Sequence, residues 1–405
     1  MSDTHSSSFD AVADQPDTPQ EPQQSTSSPY RRASIAFFFA LSGLAMSNWA
    51  VRLPDIRRTL AINDAQIGLL LLCPVVGSLG LTLLSSYLIG TFGSRRTTRI
   101  GSYLIVLSLV LIGWSPNPYT LGGALLVFGA GMGLMNISMN DQASSLERRY
   151  RRSIMSSFHG VFSLGGMVGS LSGGALASIG LIPAYHLTLI AALLFVGILV
   201  SKRLLIKPQP RQQTAKGPLF VVPKGRLWLI GGIAAATVFV EGSMADWSSL
   251  FLTEAGSSTG FAALGLAVFT GSMAVGRLLG DKWIDAAGPR IALQVGGILG
   301  IVGLGIAVIF ATPVASLIGF VLAGLGMASL FPCLIGLAGK TPDMEPSQAI
   351  SSVAMMGYVS MMGGPPMLGF LSHAVGLRLA FVALLLSSIV IVALASPAAR
   401  SKSNQ

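Results

Sequence analysis

Two carboxylates stand in the run Val238 to Leu252, VFVEGSMADWSSLFL, which is otherwise apolar enough to cross a bilayer. An ionised side chain in hydrocarbon is costly, so an acid placed there faces a partner or a water-filled cavity. Glu241 comes first. Counted at ~1.5 Å per residue from a span start at 228 or 232, it lies ~14–20 Å deep, at the midplane or just beyond. A carboxylate at that depth offers proton exchange; its plainer use is a hydrogen bond between helices. Asp246 follows five residues on, about 140° round a regular helix. Both acids look into one cavity only if the turn at Gly242-Ser243 is irregular. Otherwise Asp246, nearer the outer surface, belongs to an external gate or cap.

Other polar residues in apolar surroundings follow the same logic. Met46-Ser47-Asn48-Trp49 echoes Met244-Ala245-Asp246-Trp247, with an amide where the second copy has an acid. The Asn48 amide suits hydroxyl groups, and the indoles of Trp49 and Trp247 offer flat faces with one N–H donor each. Trp near a membrane interface also serves as an anchor. Asn136 and Asn140 are four apart, hence on one helix face; they line a solute cavity or bond between helices. His159 can relay protons or sit hydrogen-bonded at a packing face. Gly165, Gly169 and Gly173 form a small-residue stripe for close helix approach. Pro332 and Pro365-Pro366 are expected to bend their helices.

Composition decides the class that must position these residues. Of 405 residues, 52% are hydrophobic and only 10% charged, against about 25% charged in soluble domains. That excludes a water-soluble globule. Apolar runs reach the ~18 residues needed to cross ~30 Å of hydrocarbon, and the alternating segments of a membrane barrel are absent. The fold class is therefore an all-α polytopic membrane protein. Its +10 net charge does not imply nucleic acid, because the basic residues collect in alternate loops. Cys73 and Cys333 fall inside predicted spans, as neither a disulfide frame nor a metal pair. With four scattered histidines no metal set is expected, and with no Gly-x4-Gly-Lys-Ser/Thr run no nucleotide is expected as power source. No cofactor and no enzymatic activity are implied.

Twelve spans are expected near 34–51, 67–89, 99–114, 120–140, 157–178, 184–201, 228–252, 260–280, 291–310, 313–336, 350–372 and 376–396. Of the 26 Lys and Arg, 22 then lie on one side, leaving Arg52, Arg57, Arg58 and Arg378 opposite. The basic side is read as cytoplasmic, with both termini inside. Residues 1–30 form a tail too poor in apolar side chains to order, followed by a six-helix bundle over 31–201. Residues 202–226, with seven basic residues and no acid, read as a cytoplasmic linker on an anionic leaflet. A second bundle covers 227–396 and a short tail 397–405.

The halves repeat. Gly160-x-x-Ser163-x-x-Gly166 matches Gly357-x-x-Ser360-x-x-Gly363, and Gly131-Met132 matches Gly326-Met327, at offsets of 195 to 198. Parallel six-span repeats create a pseudo-two-fold along the membrane normal, with a site between the halves.

This plan resembles the major facilitator superfamily over residues 31 to about 400. Its loop signature, Gly-x-x-x-Asp-Arg/Lys-x-Gly-Arg/Lys-Arg/Lys, corresponds to Ser86 through Arg96, where Gly90 replaces the acid and Arg95 keeps the basic end. The second-half copy, Gly276-Arg277-Leu278-Leu279-Gly280-Asp281-Lys282, retains it. The resemblance implies gating roles for Asp281, Arg95, Gly276 and Gly280. Trp49-Ala50-Val51-Arg52-Leu53-Pro54-Asp55-Ile56, Asp64-Ala65-Gln66-Ile67-Gly68, Ser156-Ser157-Phe158-His159-Gly160 and Glu241 through Ser248 are similar to a MosC-like subgroup near the fucose-permease branch. That implies a secondary transporter of a small polar, sugar-like or polyol-like solute, working by alternating access as a monomer. Protons are the expected coupling ion, carried by Glu241 and Asp246. The main alternative is a proton-driven exporter of small amphipathic compounds. A membrane sensor or scaffold would need a soluble partner-binding domain, for which a 30-residue tail and a short linker leave little room.

Overall fold

In the computed structural model the chain is described over residues 29–150, 154–206, 222–342 and 344–399. Most of the expected N-terminal tail and of the basic linker lies outside these. Among the described residues every regular element is helical. The first half holds α1 (Pro29–Ala50), α2 (Leu53–Leu60), α3 (Asp64–Gly113), α4 (Pro118–Tyr150), α5 (Met155–Ser178) and α6 (Pro183–Ser201). The second holds α7 (Leu227–Glu254), α8 (Thr259–Ala287), α9 (Pro289–Phe310), α10 (Pro313–Met327), α11 (Leu330–Gly339), α12 (Pro346–Val375), α13 (Leu377–Ala380) and α14 (Val382–Ala399).

Proline and glycine punctuate these elements. Prolines open α6, α9, α10 and α12, where a missing N–H leaves no bond unmade. Gly288 and Gly376 follow α8 and α12 with φ of 81° and 85°, a backbone region costly for other residues. Asn63 and Gln66 close a reciprocal capping box at the start of α3, so part of the Asp64-Ala65-Gln66-Ile67-Gly68 motif is a helix start.

Among the described residues, eleven helical stretches are long and apolar enough to cross a membrane. With α12, whose 30 residues reach ~45 Å, they make the twelve crossings expected. The second and third crossings are one helix, α3, turned at Gly93, which has φ 74° and ψ 152°. The tenth crossing is α10 plus α11, interrupted at Ala328-Ser329. The expected bend at Pro332 thus falls four residues earlier, at the carbonyl that the proline cannot bond. No such interruption occurs at Pro365-Pro366, where α12 runs through.

The duplication is visible in packing. A Cβ on Gly101 would stand 2.9 Å from the Gly131 carbonyl, and one on Gly296 2.5 Å from the Gly326 carbonyl. The same close crossing therefore recurs in each half at an offset of 195. Between the halves, α3 packs on α12 and α5 on α8. One end of the bundle carries the arginine-rich stretches and the start of α1, and is called the basic end below; the far end carries α2.

Candidate functional site

The centre of the molecule is organised by a broken helix. Pro332, third in α11, has no N–H for the carbonyl of Ala328, so that oxygen is free within the span. The Nε of Arg277, on α8, donates to it at 3.2 Å. Gly276 and Gly280 let α8 approach this break: a Cβ on Gly276 would stand 2.6 Å from that of Ala328, and Gly280 lies against Ser329. Thus held, Arg277 donates through Nη2 to Oε1 of Glu241 at 2.9 Å and through Nη1 to Oγ of Ser163 at 3.0 Å. Glu241 sits at the middle of the 28-residue α7, and Ser163 belongs to α5 of the other half. One guanidinium therefore ties α7, α8, the α10–α11 break and the opposite bundle together. The pair is open to solvent, at 29% exposure for Arg277 and 34% for Glu241, so water weakens its attraction well below that of a sealed pair.

The helix α7 is continuous through Gly242-Ser243, contrary to the expected irregular turn. The two acids consequently point to different sides. Glu241 meets Arg277, whereas half-buried Asp246 makes no hydrogen bond or ion pair with a described residue.

The other candidate residues divide into enclosed and open groups. Asn48 is wholly buried; it donates to the Leu44 carbonyl at 2.9 Å, and its Oδ1 lies 2.9 Å from Nε2 of His186. Trp49 and Trp247 are also in the core, at 3% and 0% exposure, Trp49 edge-on to Phe128 at 6.0 Å. None of these three joins the Glu241 cluster. Asn136 is exposed and Asn140 half-exposed; Asn140 donates to both oxygens of Asn136 within α4, at 2.6 and 2.9 Å, so neither amide serves as a bond between helices. His159 is exposed, edge-on to Phe39 at 5.4 Å, and its carbonyl accepts from Ser163 Oγ at 3.3 Å.

Of the loop-signature residues, Arg95 donates to the Arg203 carbonyl at 3.0 Å, inside its own half. The Asp281 side chain lies outside the described residues. The glycine stripe 165, 169 and 173 packs on α1. The seam with α8 uses the neighbouring face instead, where Ser170 Oγ donates to the Ala263 carbonyl at 2.6 Å.

A second charged site closes the far end. Arg57 pairs with Asp64 at 2.8 Å and with Glu254 of the other half at 2.9 Å. Thr259 donates to Asp55 at 2.9 Å and accepts from Arg58 at 3.0 Å. Ser372 donates to Oδ2 of Asp64 at 2.5 Å. Arg52 stays within its half, pairing with Asp55 at 3.1 Å and donating to the Leu181 carbonyl. Below this belt Gly68 and Gly369 let α3 and α12 touch backbone to backbone: a Cβ on Gly369 would lie 2.7 Å from the Asp64 carbonyl. The seam runs inward as far as Ser163–Arg277. Beyond it, toward the basic end, Gly80 and Gly160 have open space where a side chain would be.

Two findings were missing from the sequence reading. Arg277 counted there as a loop charge, although the span 260–280 already contained it; an arginine inside hydrocarbon was the available signal. Between Arg52 and Asp64 the arginines served as orientation markers and the acids only as parts of motifs of resemblance, although charges of both signs in so short a loop suit a contact surface. Among the described residues, no group of three His, Cys, Asp or Glu is placed to hold a metal.

A model of the Major Facilitator Superfamily matches residues 34–343. The chain belongs to that superfamily. An uncharacterised MFS-type transporter of Yersinia pestis is 36% identical over 358 residues, covering 88% of this chain and 92% of the relative. Membrane protein MosC of Rhizobium meliloti is 31% identical over 359 residues, 88% of each chain. The crystal structure of the Escherichia coli fucose:proton symporter FucP shares the fold, with a TM-score of 0.59 at 18% identity, over 92% of this chain and 99% of that one. Superfamily members are transporters rather than enzymes, and this chain is a multi-pass membrane transporter. The superfamily's two bundles are the halves described above, and the Glu241–Arg277–Ser163 cluster lies between them.

Proposed function

We propose that the protein is a proton-coupled secondary transporter of a small polar, sugar-like or polyol-like solute, working by alternating access as a monomer. The single observation that carries this reading is the open Glu241–Arg277 pair at mid-depth, bonded across the halves to Ser163. Protonating Glu241 would leave the charge of Arg277, which bonds across the halves to Ser163, unbalanced at that contact, and this is how protonation would link to the motion of the halves. The exposed polar groups Asn136, Asn140 and His159 supply donors and acceptors for hydroxyls, and Asp246 is the second candidate proton carrier. The fucose:proton symporter of the same fold is consistent with this chemistry.

The charge bias supports a reading in which the basic end lies in the cytoplasm of a bacterial-type inner membrane, with both termini inside and residues 202–226 as linker. The far end, closed by the Arg57–Glu254 belt, is then external, and the conformation described is inward-open. Gly276, Gly280, Arg95 and Asp281 lie toward the cytoplasmic side, where a complementary gate would form when the halves close there.

The test is transport in proteoliposomes with a pH gradient. Glu241→Gln should abolish accumulation driven by the gradient while sparing downhill exchange. Full gradient-driven uptake by that variant rejects the proton assignment. The exporter reading draws on an apolar groove of about 490 Å³ between α5, α8 and α10, lined by Met167, Leu171, Leu264, Val268, Val275 and Leu325. Proton-driven efflux of amphipathic cations by the reconstituted protein would favour it.

A further inference from the structure

The guanidinium of Arg277 has more donors than it uses. Of five N–H groups, one from each nitrogen is engaged, with the Ala328 carbonyl, Ser163 Oγ and Glu241 Oε1. Two remain, on Nη1 and Nη2, and the side chain is open to the cavity at 29% exposure. Two of its three bonds, to Ala328 and Ser163, do not involve Glu241. The guanidinium therefore keeps its place if Glu241 leaves.

We propose that Arg277 is the recognition site for a carboxylate on the transported solute, with Glu241 as the internal carboxylate that occupies it in the solute's absence. This rests on the reading of Glu241 as the proton site and adds the charge of the cargo to it.

The argument is one of charge balance. Protonating Glu241 alone leaves a guanidinium without its counter-ion within a membrane span, which is unfavourable even where water reaches it. Bringing a solute carboxylate alone sets two anions on one cation. When both arrive together, the proton goes to Glu241, the solute carboxylate takes the freed Nη2–H and the adjacent unused donors, and the net charge of the site is unchanged. Each ligand strengthens the other, and by linkage the coupling is reciprocal. One proton travels with one carboxylate, so the cycle moves no net charge. A forked guanidinium also fits a planar carboxylate with two parallel bonds, whereas a neutral polyol cannot replace an anion on it.

The probe is D-gluconate, a polyol with one carboxylate, set against D-glucitol, its neutral counterpart. Binding to the full chain in lipid nanodiscs is read by thermal shift and by proton uptake in weak buffer. At about pH 5.5 gluconate should stabilise the protein saturably, and at about pH 8 its apparent affinity should fall by tenfold or more, because Glu241 must be protonated to release Arg277. Glucitol should not stabilise it. His159 on α5 also faces Arg277, so the one proton expected to enter per gluconate in the wild type is assigned to Glu241 by its loss in Glu241→Gln. Glu241→Gln should bind gluconate equally at both pH values with no proton uptake, and Arg277→Gln should not bind it.

Three results overturn the proposal: gluconate acting on Arg277→Gln as on the wild type, glucitol matching gluconate, or no saturable shift with Glu241→Gln. If any of these occurs while Glu241→Gln still loses gradient-driven uptake, the proton reading stands and only the carboxylate falls. If Glu241→Gln retains that uptake, the earlier reading falls first.

Discussion

Consider the double substitution Ser372→Ala with Glu254→Gln. Both residues belong to the second half, and their described side-chain partners lie across the seam: Asp64 for Ser372, Arg57 for Glu254. The first half keeps its own Arg57–Asp64 pair at 2.8 Å, so neither bundle should lose internal stability. What changes is the difference in free energy between the closed and open far end. The Ser372 hydroxyl donates to a carboxylate that is only 8% exposed; a charge-assisted bond of that kind contributes about 1.5–3 kcal/mol. Arg57 and Glu254 are 29% and 39% exposed, and such a pair contributes about 0.2–1 kcal/mol.

Together the two losses come to roughly 1.7–4 kcal/mol, and about 1.4 kcal/mol is a tenfold change, so the ratio of open to closed should rise roughly 16- to 700-fold. A far-end-open population of about 1% would become roughly 15–90% of the molecules, well within reach of a distance measurement. Spin labels at Tyr119 and Val314, exposed positions at the far-end starts of α4 and α10, report the gap by pulsed electron resonance once Cys73 and Cys333 are replaced. The expected result is a second, longer distance whose weight grows in the double variant. An unchanged distance distribution refutes the assignment of these contacts to a seal.

Two further substitutions separate structural from transport roles. Asn48→Ala leaves the buried His186 Nε2 without its partner, which costs about 1–3 kcal/mol; the melting temperature should fall while the KM of the folded transporter is unchanged, and a raised KM with normal stability would return Asn48 to the solute site. Pro332→Ala supplies an N–H that competes with Arg277 for the Ala328 carbonyl. Uptake should drop several-fold with melting temperature unchanged or higher, and normal uptake would show that the break at Ala328-Ser329 does not position Arg277.

The class of fold was legible because the bilayer imposes its own rules: twelve apolar lengths and a one-sided basic bias follow from hydrocarbon thickness and charge alone. The repeat was legible too, because Gly131 and Gly326 are needed where helices touch, and no larger residue fits. The site was legible only in part. Glu241 announced itself as an acid at mid-depth. Arg277 did not, because a basic residue near a loop has an ordinary explanation, and only Pro332, fifty-five positions later in sequence, supplies the carbonyl that holds it in the span. Asn48 and Trp49 misled for a related reason. An amide beside an indole suits a sugar, but it equally suits a buried histidine, and His186 lies 138 residues away. Pairings of such range are fixed by packing, which no local pattern encodes.

Comparison of repeat-related positions carries the argument one step further. Asn48 and Asp246 correspond, yet the first is satisfied by His186 while the second has Leu384 at the matching offset and no partner among the described residues. Arg277 corresponds, at an offset near 197, to Gly80, beside which there is open space. In both pairs the first half holds the neutral, settled member and the second half the charged one. A duplicated body whose mid-depth ion pair lies in one half is asymmetric where the halves meet. Ser163, on α5, is the first-half residue that bonds to Arg277 of this pair, and on the same helix Ser170 bonds Ala263 across the seam. The halves are therefore unequal at mid-depth: one carries the Glu241–Arg277 ion pair, and the other presents Ser163 to it.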